Sequence, residues 1–206
     1  RHVASTVIGS GRADPAREWN WWSDEAQGGG VWGAIGSHQI DTLRYLWGEI
    51  SAISAALHTF IAERPAEGGP RQVTADDYAA AQVRFASGGL GAIAISVVAA
   101  ANQPNQLTLH GEDGALRLDG ERLLVARRGG DWEDRTPPAR QFPPEIQGDF
   151  PQATVYLGEA LRAWEGGAAD ALAPAATFGD GLRNQIVLDA GRQSHAEDGR
   201  WVAVQG

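Results

Sequence analysis

Residues 76–98, DDYAAAQVRFASGGLGAIAISVV, decide the fold. Two apolar runs rich in β-formers flank Ser87-Gly88-Gly89, so the stretch reads as strands over 76–86 and 90–98. Glycine at the turn frees the backbone for a conformation that other residues resist.

Working outward, the same signature recurs. Residues 106–110 and 115–118 flank Gly111-Glu112-Asp113-Gly114 as a second hairpin, and 123–127 reads as a further strand. Upstream, 2–8 is a short β-branched opening strand and 50–61 another, followed by a Gly- and Pro-dense loop over 63–70. Between them Ile40, Leu43, Leu46 and Trp47 recur at helical spacing over 34–47, with Gly48 as the stop. Downstream, 129–148 is an acidic, Pro-punctuated loop long enough to carry function or flexibility. Helices over 152–164 and 178–195 and a brief strand at 201–204 close the chain. Runs of strands followed by helices indicate an α+β fold, a mostly antiparallel open sheet with helices on one face, and a single domain over 1–206.

Composition narrows the function. The net charge of −9 argues against nucleic acid, which requires a basic surface. No apolar run reaches the ~20 residues of a membrane helix, and no signal peptide is visible, so a soluble, cytoplasmic protein is expected. Cysteine is absent, which removes disulfides, thiol nucleophiles and thiolate metal sites. Methionine is absent even at position 1, so the chain is expected to be a fragment. Lysine is absent too: all 17 basic residues are arginine, and any lysine chemistry has to come from elsewhere.

The chemistry concentrates in residues 28–41, GGGVWGAIGSHQID. His38 and Asp41, three apart on a helix, share a face, and a carboxylate near an imidazole can orient it for proton transfer near neutral pH. The glycines before them let a ligand approach the backbone. The same residues fit a structural reading: His38 packing at a helix start, and Asp41 pairing with Arg44 or Arg17.

The longer run GGGVWGAIGSHQIDTLRYLWGEI, residues 28–50, resembles the Gfo/Idh/MocA oxidoreductases, whose C-terminal domain opens with a glycine run and a Gly-x-His-x-x-Asp helix ending in Leu-x-Gly. Here those positions are Gly36, His38, Asp41 and Leu46 to Gly48. FASGGLGAIAIS (85–96), LTLHGEDGALRLDG (107–120) and PAATFGDGLRNQIVLDAGRQSHAEDGRWVAV (174–204) are similar to the hairpins and closing helix of the same family. The resemblance covers essentially the whole chain in order. It implies a dihydrodipicolinate-reductase-like C-terminal domain that walls the substrate and often forms the homo-oligomer interface through its open sheet face. NAD or NADP would be held by an N-terminal dinucleotide-binding domain missing from this sequence, which also carries a Glu-Lys-Pro lysine. By itself the fragment would be inactive. The substrate would be a sugar, polyol or similar small molecule. His38 is the counterpart of the family's histidine in a Lys/His/Asp set; Asp41, Ser37 and Trp22 are candidates for substrate binding. One position departs: Ala34 stands where many members carry an aspartate, and alanine can neither accept a proton nor hold a hydroxyl. Either His38 and an upstream lysine share the acid/base work with Asp41 in support, or the domain is a ligand-binding or assembly module derived from such an enzyme.

Other candidates are weaker. Gly9-Ser10-Gly11 hints at a phosphate loop, but Asp14 would repel a pyrophosphate, so no cofactor site is expected on this chain. The cluster Trp19, Trp21 and Trp22 fits a sugar-stacking or a packing role. The five histidines are scattered and no metal site is expected. His58, His110 and His195 read as strand or helix ends. Asp76-Asp77 and Glu112-Asp113 read as solvated turn charges.

Overall fold

The computed structural model describes residues 1–205, which fall into two compact units, residues 1–136 with 182–205, and Pro137–Gly181. The first holds β1 (His2–Ile8), α1 (Ser37–Trp47), β2 (Ile50–His58), β3 (Glu63–Arg64), β4 (Arg71–Gln72), β5 (Tyr78–Phe85), β6 (Leu90–Ser96), β7 (Gln106–His110), β8 (Gly114–Asp119), β9 (Arg122–Arg127) and β10 (Glu133–Asp134). The second holds α2 (Asp149–Glu165), and α3 (Phe178–Ala196) runs from it into the first, which ends in β11 (Val202–Ala203).

Nine strands form one open sheet in the order β10-β9-β8-β7-β1-β6-β5-β2-β11. The β5–β6 hairpin turns at Gly88 and Gly89, both at positive φ, as expected from residues 76–98. All pairings in the sheet are antiparallel except β1 with β6, which run parallel from His2↔Leu90 to Ile8↔Ser96. The loop over 63–70 is bounded by a small separate hairpin, β3 with β4.

Alternation along the strands sends Val3, Ile53, Ala55, Ala79, Val83, Ile93 and Ile95 to one face, where they are buried with Ile40 and Leu43 of α1 and Val187 and Leu188 of α3. Trp32 is the pivot of this core. Its indole is fully buried and its Nε1 donates to the Leu188 carbonyl at 3.0 Å. Two glycines make room for it. A Cβ on Gly36 would lie 2.9 Å from the ring and one on Gly191 2.5 Å, both inside contact distance. The Ser194 hydroxyl accepts the Ala55 N–H at 2.9 Å and donates to the Arg200 carbonyl, tying α3 to β2 and the closing turn.

The helical pattern expected from residue 34 begins at Trp32, but the first five residues wind as a wider π turn, and α1 proper starts at Ser37. Among the described residues no helix is long and apolar enough to cross a membrane.

Candidate substrate site

The chain leaves β1 through a loop that is tied down at once. Gly9 N donates to the Ser96 carbonyl, Ser10 N to the Asn102 carboxamide oxygen at 2.7 Å, and Arg12 N to the Val97 carbonyl. A phosphate cradle needs free backbone amides. In Gly9-Ser10-Gly11 two of the amides it would use are already bonded, and Asp14 turns its carboxylate onto the Ala16 N–H. This loop does not fit a dinucleotide.

Two 3₁₀ turns follow, each capped by the side chain before it. Asn20 accepts the Trp22 N–H and Asp24 the Ala26 N–H. The Trp22 ring lies under the Arg12 guanidinium, 4.6 Å from its centroid, and Arg12 reaches Ser23 Oγ and Asn20 Oδ1 at 3.3 and 3.4 Å. Burial, then the neighbouring Arg64 and Arg17, lower the Arg12 pKa from its ordinary value. Arg64 is itself buried and clasps the Asp14 and Arg12 carbonyls at 2.8 and 2.6 Å.

Close approach of the backbone requires glycine at two positions of the run. A Cβ on Gly29 would sit 2.5 Å from the Trp22 carbonyl oxygen. Gly30, at φ +105, passes so close to Asp76 that a Cβ would meet its carboxylate oxygen. That carboxylate accepts the Trp32 N–H at 2.7 Å, while the Asp76 carbonyl accepts the Val31 N–H. Asp77 accepts the Phe60 and Ile61 N–H groups at 2.8 and 2.9 Å and is buried. The expectation of solvated turn charges at Asp76-Asp77 is therefore corrected. Segments outside the sheet present amides with no ladder partner, and these two carboxylates satisfy them. Burial, the largest influence on Asp76, raises its pKa against the pull of those hydrogen bonds.

With the π turn fixed from below, α1 presents Ser37 and His38 in its first turn. Ser37 is half-buried and its carbonyl accepts from Asn184 of α3 at 3.0 Å. The His38 imidazole is exposed and makes no hydrogen bond among the described residues. Asp41, one turn on, does not bond to it. Its Oδ1 lies 3.8 Å from Nη1 of Arg44, a buried guanidinium gripped by Glu49 through two 2.9 Å hydrogen bonds. Ser37, His38 and Asp41 thus share one helix start, whereas Trp22 belongs to the network of Arg12 and Asn20. Ala34 sits inside the π turn, half-buried. The structural roles of Arg12 and Asp76 were not read from the sequence. Asp76 could have been found from its place against the apolar run of β5, where a solvated charge is out of keeping; no sequence signal marks Arg12. Among the described residues no group of three or more His, Asp or Glu side chains could hold a metal ion.

A mostly antiparallel open sheet is backed by two helices, and an exposed histidine stands in the first turn of the glycine-led α1. A family model described as the GFO/IDH/MocA C-terminal domain matches residues 1–117. An uncharacterized oxidoreductase of Synechocystis sp. is 31% identical over 210 residues, covering 96% of this chain and 56% of the relative. Levoglucosan dehydrogenase of Pseudarthrobacter phenanthrenivorans is 30% identical, covering 90% of this chain and 47% of its own. The solved levoglucosan dehydrogenase in complex with NADH and L-sorbose superposes with a TM-score of 0.84 at 25% identity, over 99% of this chain and 58% of that one. The chain belongs to the Gfo/Idh/MocA family and corresponds to the C-terminal part of its members. It spans about half the length of the curated relatives it matches.

Proposed function

We propose that this domain is the substrate half of an NAD(P)-dependent oxidoreductase that acts on a hydroxyl of a sugar, polyol or similar small molecule. The observation that carries the reading is the His38 imidazole: exposed and unbonded among the described residues, yet mounted on a helix start held by the Asp76–Trp32 and Asn184–Ser37 hydrogen bonds. An unbonded imidazole on a rigid base is available to a ligand's hydroxyl, and positioning is most of what a proton-transfer group needs. Relatives with NADH and a sugar bound support the cofactor and substrate class.

In this reading a nicotinamide nucleotide held by another domain would supply the hydride chemistry. His38 hydrogen-bonds the reacting hydroxyl and relays its proton, Ser37 borders it on the same helix turn, and Asp41 holds a second hydroxyl or supports His38 at the expense of its long contact with Arg44, while Trp22 remains with Arg12. The small-residue open face of the sheet serves self-association. Ala34 favours a second reading, a non-catalytic binding or assembly module, because the side chain in the π turn offers no proton acceptor.

In the intact polypeptide His38→Ala is expected to lower turnover by roughly 10²- to 10⁴-fold with an unchanged unfolding midpoint. Parent-level turnover in the variant would remove His38 from the mechanism. A parent polypeptide that oxidises no sugar or polyol hydroxyl with either nucleotide would leave the second reading.

A further inference from the structure

The unit Pro137–Gly181 contains no buried residue. Its organisation is local: Arg140 grips Glu159 through two hydrogen bonds of 2.7 and 2.6 Å, and the Phe142 ring meets Tyr156 edge-on at 5.6 Å. Along α2, Phe150, Leu157, Leu161 and Trp164 fall at spacings that align them on one stripe, and they are 83%, 47%, 43% and 53% exposed. Phe178, which ends the unit's last linker, is fully exposed. A segment this small cannot build its own core, and a helix with an apolar stripe of this length requires a partner surface.

We propose that the α2 stripe is the seat of the cofactor-binding half of the same polypeptide, an inference that rests on the functional reading above. Two observations choose this occupant over a second copy of the chain. The matched relatives are about twice as long as the part that corresponds to this chain, so a further half is available to cover α2. The stripe is also too small for separate chains. Its four side chains expose on the order of 450 Å², taking 150–250 Å² for a large side chain. Stable association between free molecules needs about 800 Å² per partner. A tethered partner acts at an effective concentration near the millimolar range, where a patch of this size suffices. The stripe thereby fixes the cofactor-binding half against the unit that follows the sheet.

The test is hydrogen exchange on the full-length polypeptide. Amides of residues 150–164 are expected to be protected, independently of dilution. Leu157→Asp is expected to accelerate their exchange by roughly tenfold or more while β5 and β6 stay protected. Leu157→Ala, the milder variant, gives a smaller acceleration of the same amides if the aspartate unfolds the protein. Unprotected amides in the parent, protection lost on dilution, or protection unchanged in both variants would overturn the proposal. NADH binding, followed by energy transfer from tryptophan, separates the two levels. A full-length polypeptide that binds no NADH defeats the functional reading; one that binds NADH with α2 unprotected defeats this inference alone.

Discussion

The two faces of the nine-stranded sheet are built on different rules. The covered face carries Val, Ile and Leu side chains that meet α1 and α3 around the Trp32 indole. The other carries Ala4, Ala52, Ala56, Ala80, Ala92 and Ala94 in adjoining positions, edged by the stacked His2 and His110 rings and by Arg84 over Trp201. A shallow hollow of about 260 Å³ lies there between His2, Ala4, Gln82, Ala92 and Trp201. The covered face is apolar and interlocked, whereas the open face mixes these short side chains with Thr6, Ser54, Gln82, Arg84 and Thr108. The contrast teaches that a core is marked by apolar side chains that interdigitate, and that a face of short, mixed side chains is suited to another flat surface.

Four substitutions break or sharpen this contrast. Trp32→Ala on the covered face is expected to cost about 3–5 kcal/mol, read by urea unfolding, because the space between Gly36 and Gly191 cannot collapse. A loss below 1 kcal/mol would mean that the covered face is not interlocked after all. Gly191→Ala, which adds one methyl against that ring, is expected to cost about 1–3 kcal/mol by overpacking. A neutral result would place slack where the contacts are tightest.

Asp76→Asn addresses the polar group behind Trp32. Burial raises the Asp76 pKa in the folded protein, so its contribution to stability is full below the ordinary carboxylate value of about 4 and is lost as pH rises through the raised value. The parent should therefore lose stability over that window relative to the asparagine variant, which keeps an acceptor for the Trp32 N–H. Parallel stability–pH curves would remove Asp76 as the cause. Smallest of all, Ala92→Glu on the open face is expected to change monomer stability by no more than about 0.5 kcal/mol. Its effect should appear in solution mass, as loss of self-association by sedimentation, and an unchanged assembly would send the search for the interface elsewhere.

Local signals carried much of this into the sequence. The hairpin at Ser87-Gly88-Gly89, the periodicity of α1 and the two closing helices are all short-range patterns, and they stand close to where periodicity puts them. What could not be read is non-local. Nothing in residues 2–8 says that they run parallel to residues 90–96, and nothing ties Gly36 to Gly191 until the Trp32 ring lies between them. At the candidate site, i to i+3 spacing brought His38 and Asp41 to one helix start but did not decide which neighbour the carboxylate faces. That is settled by Arg44, whose buried charge collects the nearby acids.

The central position of β1 has a consequence for how the molecule comes into being. The strand is the first element in the chain, yet its neighbours, β6 and β7, begin at Leu90 and Gln106, and the helix that seals Trp32 begins at Phe178. Hairpins such as β5–β6 can form as soon as they leave the ribosome, whereas the opening strand has to wait, extended and β-branched, until most of the domain has emerged. Long-range pairings of this kind slow folding and leave strand edges unpaired meanwhile. Whatever precedes Arg1 in a longer polypeptide therefore has time to fold first, and the sheet is assembled around a strand that has been held in reserve.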